Sequence, residues 1–518
     1  VRRVLLGLGP LLVLLPAPAQ TLPASPHTHE PFVVPEADRV VVARFAEALR
    51  LSERLREVLW PGFSLGALPI AVFRPGGAAY VAGHPSPPHA FRELAAAGAE
   101  GGARIRFAPA TAEMRSNATL RIDGLLFSTL EARGLEPPSL PEDSVGLVFH
   151  EGFHNFAQRT ASRSGAESPN DGAGFPDLDP RGNALAVLEG ALLGEALGAK
   201  DEASARERAS EFLAVRAERA ASLGAAFAAW EEGVEWNEGL ATYAETRAVL
   251  LAGGLERDAA TRPADPGIGR YPAPEEYRAR RFAELASPGR IPDRSRARLY
   301  LTGAAQAILL DRISPDWKEE AFAKGTSPSR LLASGLRFDA AAAPGLAEKV
   351  AKRFSFDAIL ANEARTAREA GEKRRAEAEA ALARGDGELR IEAGDAGAPE
   401  VLLLDPPSVR RVDAERLFHA RVLRIRFPGR GSASFERPVL ADPAHASYRI
   451  ALDLSAFRLA VNGEEVALAG EPRALGRGEV RLTSPGITVE GRDVEVSSGA
   501  EGDRRLLVVR FLPPAGPK

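Results

Sequence analysis

The hydrophobic period of this 518-residue chain changes near Gly385, and that change limits the folds open to it. From Asp143 to about Ala383 apolar residues recur mostly at helical spacing, broken by the turn-rich stretches SGAESPNDGAGFPDLDPRG and RPADPGIGRYPAPEE. After Gly385 the runs ELRIEA, VLLLD, RVLRIRF, YRIALDL, FRLAVNGEEVAL, ITVEG and RRLLVVRF alternate or stay apolar between turns, which is a strand pattern. Asn462-Gly463 is a strong hairpin signal, because both positions of a tight hairpin turn need positive φ. A helical stripe and a two-residue alternation cannot share one register, so separate packing units are expected. Residues 143–385 form a helical part whose charged tail, NEARTAREAGEKRRAEAEAALARG, reads as a connector helix. Residues 386–518 form a β-sandwich-like domain of about seven or eight strands.

Upstream, residues 31–142 mix a helical pattern, ADRVVVARFAEALRLSERLREVLW, with strand-like runs such as LPIAVF and AAYVAG between Gly/Pro turns. The fold class is therefore α+β. The first 19 residues have a leader's form: Arg2 and Arg3, an apolar run broken by Pro10, then Ala17-Pro18-Ala19 as a small-x-small cleavage site. An exported protein, periplasmic or extracellular, with no membrane span after cleavage is expected. The chain has no cysteine, so stability outside the cytoplasm must come from packing or from a metal. Its net charge of -4, from 66 basic and 70 acidic residues, favours neither nucleic acid nor an acidic membrane surface. Oligomeric state is not legible.

Within SVGLVFHEGFHNFAQ, residues 144–158, two of the chain's eight histidines stand four apart around a glutamate. Asp143 or Ser144 is suited to cap a helix beginning at Val145, with Leu147, Val148, Phe153, Phe156 and Ala157 on its buried face. His150 and His154 then lie one turn apart on the same side. Two imidazoles at this spacing can hold one zinc ion, and Glu151, about 100° around the axis, can take a proton from water there. The chance of an HExxH arising somewhere in such a chain is on the order of 1%. A catalytic zinc site normally has a third protein ligand, and no other histidine is well placed, so a carboxylate is the better candidate. Glu238, in EWNEGLATYAETRA, and Glu189, in the intervening helix pattern ALAVLEGALLGEAL, both offer one.

HEGFH followed by NEGLATYAE resembles the gluzincins, the zinc peptidases of the thermolysin and aminopeptidase N type. The resemblance covers two short motifs, and here residues 155–237 separate them, further apart than is usual in the family. It implies a zincin-like catalytic unit, with His150, His154 and Glu238 as zinc ligands and Glu151 as general base. Thr242 stands where the thermolysin pattern has an aspartate supporting a zinc-bound histidine. In RLYLTGAAQAILLDRI, Tyr300 and Gly303 match a Tyr-x-x-Gly of aminopeptidase relatives, which implies Tyr300 as an oxyanion donor. Packing is the competing reading for Tyr300, and Tyr243 is a rival donor.

The function expected is that of an exported zinc peptidase acting on peptide or protein substrates. A degenerate zincin serving as an envelope binding or scaffold protein and a zinc hydrolase of non-peptide bonds are the alternatives. The aminopeptidases carry a Gly-x-Met-Glu-Asn strand that grips the substrate amine, whereas the only methionine, Met114, lies in TAEMRSNATL. An endopeptidase, or a peptidase indifferent to the N-terminus, is therefore expected. Asp171, Asp177 and Asp179 read as a solvated acidic loop rather than a calcium site, since they lack EF-hand spacing. Trp60-Pro61-Gly62 reads as packing plus a turn, and Asn117-Ala118-Thr119 is a sequon too short to carry weight.

Overall fold

A computed structural model describes residues 30–94, 104–161, 172, 174–257, 264–265, 269–285, 295–393, 399–405, 408–467 and 473–513. The leader, 1–19, and Asp171 lie outside the described residues. Helices and strands are both abundant, so the chain is of mixed α+β class with a β-rich C-terminal part.

After the helix Arg39–Leu55, the strands β1 (Ile70–Phe73), β2 (Ala78–Ala82), β3 (Arg92–Glu93), β4 (Arg106–Pro109), β5 (Ala118–Ile122) and β6 (Leu125–Glu131) form one sheet. Its order is β3-β4-β2-β1-β6-β5, with β1 and β6 parallel and every other pair antiparallel. Alternation along β1 splits it between two cores: Ile70 and Val72 join the large helical core, while Ala71 and Phe73 join a smaller one with Met114 and Phe127. The helix carrying the histidine pair, Pro141–Thr160, packs on the first of these faces. Asn155 donates to Pro69 O (3.2 Å) and Leu126 O (3.0 Å), and Ser128 Oγ donates to the Glu151 carbonyl at 2.8 Å.

This helix begins four residues before the expected start. Pro141 occupies its first turn, where a missing N–H costs nothing, and Asp143 and Ser144 lie inside it rather than capping it. Ser144 instead accepts from Arg44 Nη1 at 2.8 Å. Trp60 is 3% exposed in an aromatic core with Phe153, Trp317 and Phe322, and Gly62 turns the chain at φ 75°, as expected.

The long stretch between the two motifs folds as helices Pro180–Gly198, Glu202–Leu223 and Ala225–Val234. The chain then makes one π-helical turn, Glu235–Gly239, and continues as the helix Leu240–Ala252. Helix Ala297–Ile313 crosses that turn at very close range. A Cβ on Gly303 would stand 2.7 Å from Gly239 Cα and 2.8 Å from the Glu235 carbonyl oxygen, so both crossing residues must be glycine. The charged connector is the single helix Phe356–Leu382, docked against Pro180–Gly198 and the β-rich part.

The described residues between Gly387 and Phe511 form thirteen strands joined in one sheet, rather than the seven or eight expected. The additional ones are short or rich in small and polar residues, such as Val409–Arg411, Leu417–His419 and Gly431–Phe435, which carry little alternation. The long strand Ile487–Glu501 pairs with Gly431–Phe435 through its first half and with Arg504–Phe511 through its second. The ladder thereby folds over a common core, where Phe427 and Phe511 stack with ring centroids 3.8 Å apart. Asn462 (φ 52°) and Gly463 (φ 84°) form the expected tight hairpin.

The glycine crossing generates a prediction. Gly303→Ala should lower stability by about 1–3 kcal/mol, because backbone rather than a flexible side chain opposes the new methyl group. Gly345→Ala, in a helix where an added Cβ meets nothing within 4 Å, should be neutral or slightly stabilising. Thermal midpoints of the two variants check this, and equal values would show that the crossing tolerates a side chain.

Candidate metal centre

The packing of Pro141–Thr160 on Leu240–Ala252, with Ala297–Ile313 across the preceding π turn, brings three donor atoms together. His150 Nε2 and His154 Nε2 are 3.2 Å apart, and Glu238 Oε2 lies 3.4 Å from the first and 3.3 Å from the second. The residues are at most 13% exposed at their side chains. Such a nearly equilateral triangle of donor atoms is unfavourable unless a proton or a metal ion sits among them. His150, His154 and Glu238 can therefore hold a metal ion.

Electrostatics lead to the same conclusion. Burial alone would lower the His150 pKa, but hydrogen bonds to Glu238 and Glu245 outweigh it and raise the imidazole to about 10. For Glu238 burial would raise the carboxyl, yet the two imidazoles hold it well below the usual carboxylate range. The metal-free site thus retains a proton where a metal would otherwise neutralise it, so metal uptake competes with protonation of His150.

Two of the three donors, His150 and Glu238, are held from behind. His150 Nδ1 faces Glu245 Oε2 at 3.2 Å, and Glu245 in turn binds Arg281 at 2.8 Å. Gly146, one turn before His150, makes room: a Cβ there would approach Glu245 Cγ to 2.9 Å. Glu238 directs Oε2 at the imidazoles, while its Oε1 accepts from Arg296 Nη2 at 3.0 Å. The π turn bearing Glu238 is pinned by Glu235, which takes a two-pronged bond from Arg216 (2.9 and 2.7 Å) and one from Thr302 (2.6 Å). Trp236 anchors the same turn through its indole N–H on Ala321 O at 3.1 Å.

Glu151 is 8% exposed, and its carboxyl pKa is raised, first by burial, against the opposing pull of His150 and His154. The Tyr300 ring lies parallel to His150, with centroids 6.0 Å apart and 10° between planes. Burial and then the Glu238 charge raise its phenol pKa, so at neutral pH the hydroxyl keeps its proton and can donate. Tyr243, the rival donor, is fully buried elsewhere, with its hydroxyl on Asp311 at 2.9 and 3.0 Å.

The other ligand candidate, Glu189, is separate from this cluster. It is completely buried in an ion network with Arg216 (3.1 Å), Arg219 (2.6 Å) and Arg298 (3.7 Å), where Glu231 and Glu235 supply the other two negative charges. Three arginines against three glutamates leave this buried network neutral, with Glu231 pushed down to about 2 because its arginine partners overcome the opposing effect of burial. Thr242, at the position of the thermolysin pattern's supporting aspartate, is buried, and its hydroxyl makes no hydrogen bond among the described residues.

The missed supporting residue is Glu245. It lies seven positions after Glu238, two helical turns on, a spacing that places it on the same face. Among the acids of the loop, Asp177 binds Arg374 and Asp179 caps Pro180–Gly198 through Arg181 N and Gly182 N. His84 packs on Phe91 and Phe127, His419 is buried among apolar residues, and His445 binds Asp442, so none of these adds to the centre.

No family profile matches the chain, and no curated protein or solved structure matches it either.

The geometry separates the two candidate glutamates experimentally. With Zn2+ as the probe, Glu238→Ala should lose tight binding of one ion per chain while remaining folded. Glu189→Ala should retain the ion but lose about 3–5 kcal/mol of stability, because three buried arginines are left short of one partner. Competition titration with a chelator and thermal denaturation read both effects. A folded Glu189→Ala protein without metal would overturn the ligand set.

Proposed function

We propose that the chain is an exported zinc peptidase with a gluzincin-like catalytic unit, cleaving peptide or protein substrates. The observation that carries this reading is the approach of the two motifs, 84 residues apart from His154 to Glu238, to within 3.4 Å at their donor atoms. Two imidazoles and a carboxylate are a donor set suited to zinc rather than to magnesium or calcium, which prefer all-oxygen shells. A tetrahedral shell with bonds of about 2.0–2.1 Å has edges of about 3.3–3.4 Å, close to the triangle found. The leader motif supports export, and no helix among the described residues is long and apolar enough to cross a membrane.

His150, His154 and Glu238 would hold a zinc ion, which would supply Lewis acidity toward a carbonyl oxygen and a bound water. The chain's own residues do the rest. Glu151, flanked by the ligand histidines in sequence and raised in pKa by burial, accepts the proton of the attacking water. Carrying that proton, it then delivers it to the leaving amine. Tyr300, still protonated, donates to the oxyanion of the tetrahedral intermediate, so phenol and base act on different atoms of the same peptide group. Glu245 fixes the His150 ring through Nδ1, leaving Nε2 as the donor. Arg296 partly neutralises Glu238 through its outer oxygen, which limits the negative charge that this ligand places on the centre.

Of the two acids nearest His150, Glu238 is bonded to Arg296 and Glu245 to Arg281. Both acids are already engaged, which leaves them unsuited to gripping a substrate ammonium and supports endopeptidase action. Met114, the residue marking the absent amine-binding pattern, is 5% exposed in the smaller core of the sheet.

The zinc-loaded protein should cleave an N-acetylated peptide as readily as the free-amine form. Glu151→Gln should bind zinc stoichiometrically yet lose at least about a hundredfold in kcat, since an amide keeps the shape without the base. Metal analysis alongside mass spectrometry of the digests checks both. Full activity of a zinc-replete Glu151→Gln protein, or strict dependence on the free amine, would contradict the mechanism.

A further inference from the structure

One histidine of the β-rich part is buried where an imidazole has nothing to bond. The strand Leu417–His419 lies between Val409–Arg411 and Val439–Asp442, with His419 opposite Val409 on one side and Val439 on the other. Successive side chains of a strand point to opposite faces, and here both faces are covered. Phe418 packs with Ala378, Ala381 and Leu382 of the connector helix, whereas Val409 and Val439, on the face of His419, pack in the β core. His419 is 4% exposed, and its Nδ1 has no hydrogen-bond partner among the described residues.

The same pair of strands holds the loop that precedes Pro180–Gly198. Arg411 donates twice to Gly174 O, at 3.2 and 2.5 Å. Arg374, in the connector helix, binds Asp177 at 3.0 and 2.6 Å and also donates to Arg411 O at 2.9 Å. Val409–Arg411 ends the strand order of its sheet, so among the described residues Leu417–His419 is the one strand that pairs with it. Phe175, next to Gly174, packs on Trp230 with ring centroids 5.3 Å apart and clusters with Leu299, the residue before Tyr300. A displacement at His419 therefore has a bonded route to the helix that borders the metal centre.

We propose that His419 is an acid-sensitive latch: when its imidazole takes a proton from solvent, Val409–Arg411 and Leu417–His419 separate from the β core and release both the connector helix and the loop at Gly174. An imidazolium there would be a buried charge without a counter-charge, and opening the strands to water relieves it. The charged groups of the surrounding elements are engaged with one another or with backbone. Arg411 is on Gly174 O, Arg410 faces Glu377 at 3.7 Å, Arg449 binds Glu388, Asp442 binds His445 and Arg421 faces Asp405 at 3.5 Å. Burial is the one influence on His419, and it pulls the imidazole from its ordinary 6.5 down to about 4. The closed form is thus fully stable above about pH 6.5, and loses stability as pH falls from there toward about 4.

Hydrogen exchange of the full chain, read by mass spectrometry at about pH 7.5 and about pH 4.5 and corrected for intrinsic exchange, tests the latch. A chelator keeps the chain metal-free at both values, so that acid release of an ion adds nothing. In the wild-type protein the opening of segments 409–419 and 174–179 should rise together, roughly tenfold or more, on acidification. His419→Leu and His419→Met, which fill the site without titrating, should match the wild type at the higher pH and remove most of the rise at the lower. An equal rise in the wild type and in whichever variants fold would overturn the latch, because other groups would then carry the acid response. Opening of 409–419 without 174–179 would overturn the coupling to the loop.

Discussion

The backbone contact between Gly239 and Gly303 is the constraint on which the arrangement of this site depends. With no side chain on either residue, the π turn and the crossing helix approach until a single added carbon would stand 2.7 Å from the opposite backbone. Glu238 precedes one glycine directly, and Tyr300 lies one turn before the other. The crossing therefore fixes the distance between a metal donor and the neighbouring phenol. Behind it, the neutral network of three arginines and three glutamates ties Glu235 in the same turn to Glu202–Leu223 and Ala297–Ile313. Such a cluster contributes little net stability once its desolvation is counted, but removing one member is costly. A turn held in this way cannot drift without leaving a buried charge unpaired.

Much of this was legible in the sequence because the decisive signals are local. His150 and His154 are one helical turn apart, so their common face follows from geometry alone. The switch of period near Gly385 separates the helical from the β-rich part, and Asn462-Gly463 marks a turn through its backbone requirement. What escaped depends on contacts distant in sequence. Glu189 and Glu238 are equivalent as residue types, and only the placement of Arg216, Arg219 and Arg298 assigns Glu189 to the ion network. Glu245 escapes the motif because the thermolysin pattern carries the histidine's support four residues after the ligand glutamate, at the position of Thr242. Glu245 lies at seven, where two turns return the chain to the same side. The undercounted strands are those whose composition, as in Gly431–Phe435, gives no alternation to detect.

The stretch between the motifs acquires a purpose in this arrangement. Its helices supply Glu189, Arg216, Arg219 and Glu231 to the network behind the site, and Phe227 and Trp230 to the apolar surface beside it. The loop that precedes them is bonded to the connector helix and to the strand Val409–Arg411. Contacts spanning 197 and 237 residues of sequence thus converge on the position of Phe175, and the β-rich part is joined to the helical region by more than its connector.

His150, His154 and Glu238 are placed to bind one ion together. Zinc-edge anomalous diffraction from crystals of the zinc-loaded chain tests it most directly. A single peak about 2.0–2.1 Å from His150 Nε2, His154 Nε2 and Glu238 Oε2, with Arg296 still on Glu238 Oε1, is the predicted result. A peak lacking Glu238 in its shell, or no peak at this position in a chain that binds zinc elsewhere, would contradict it.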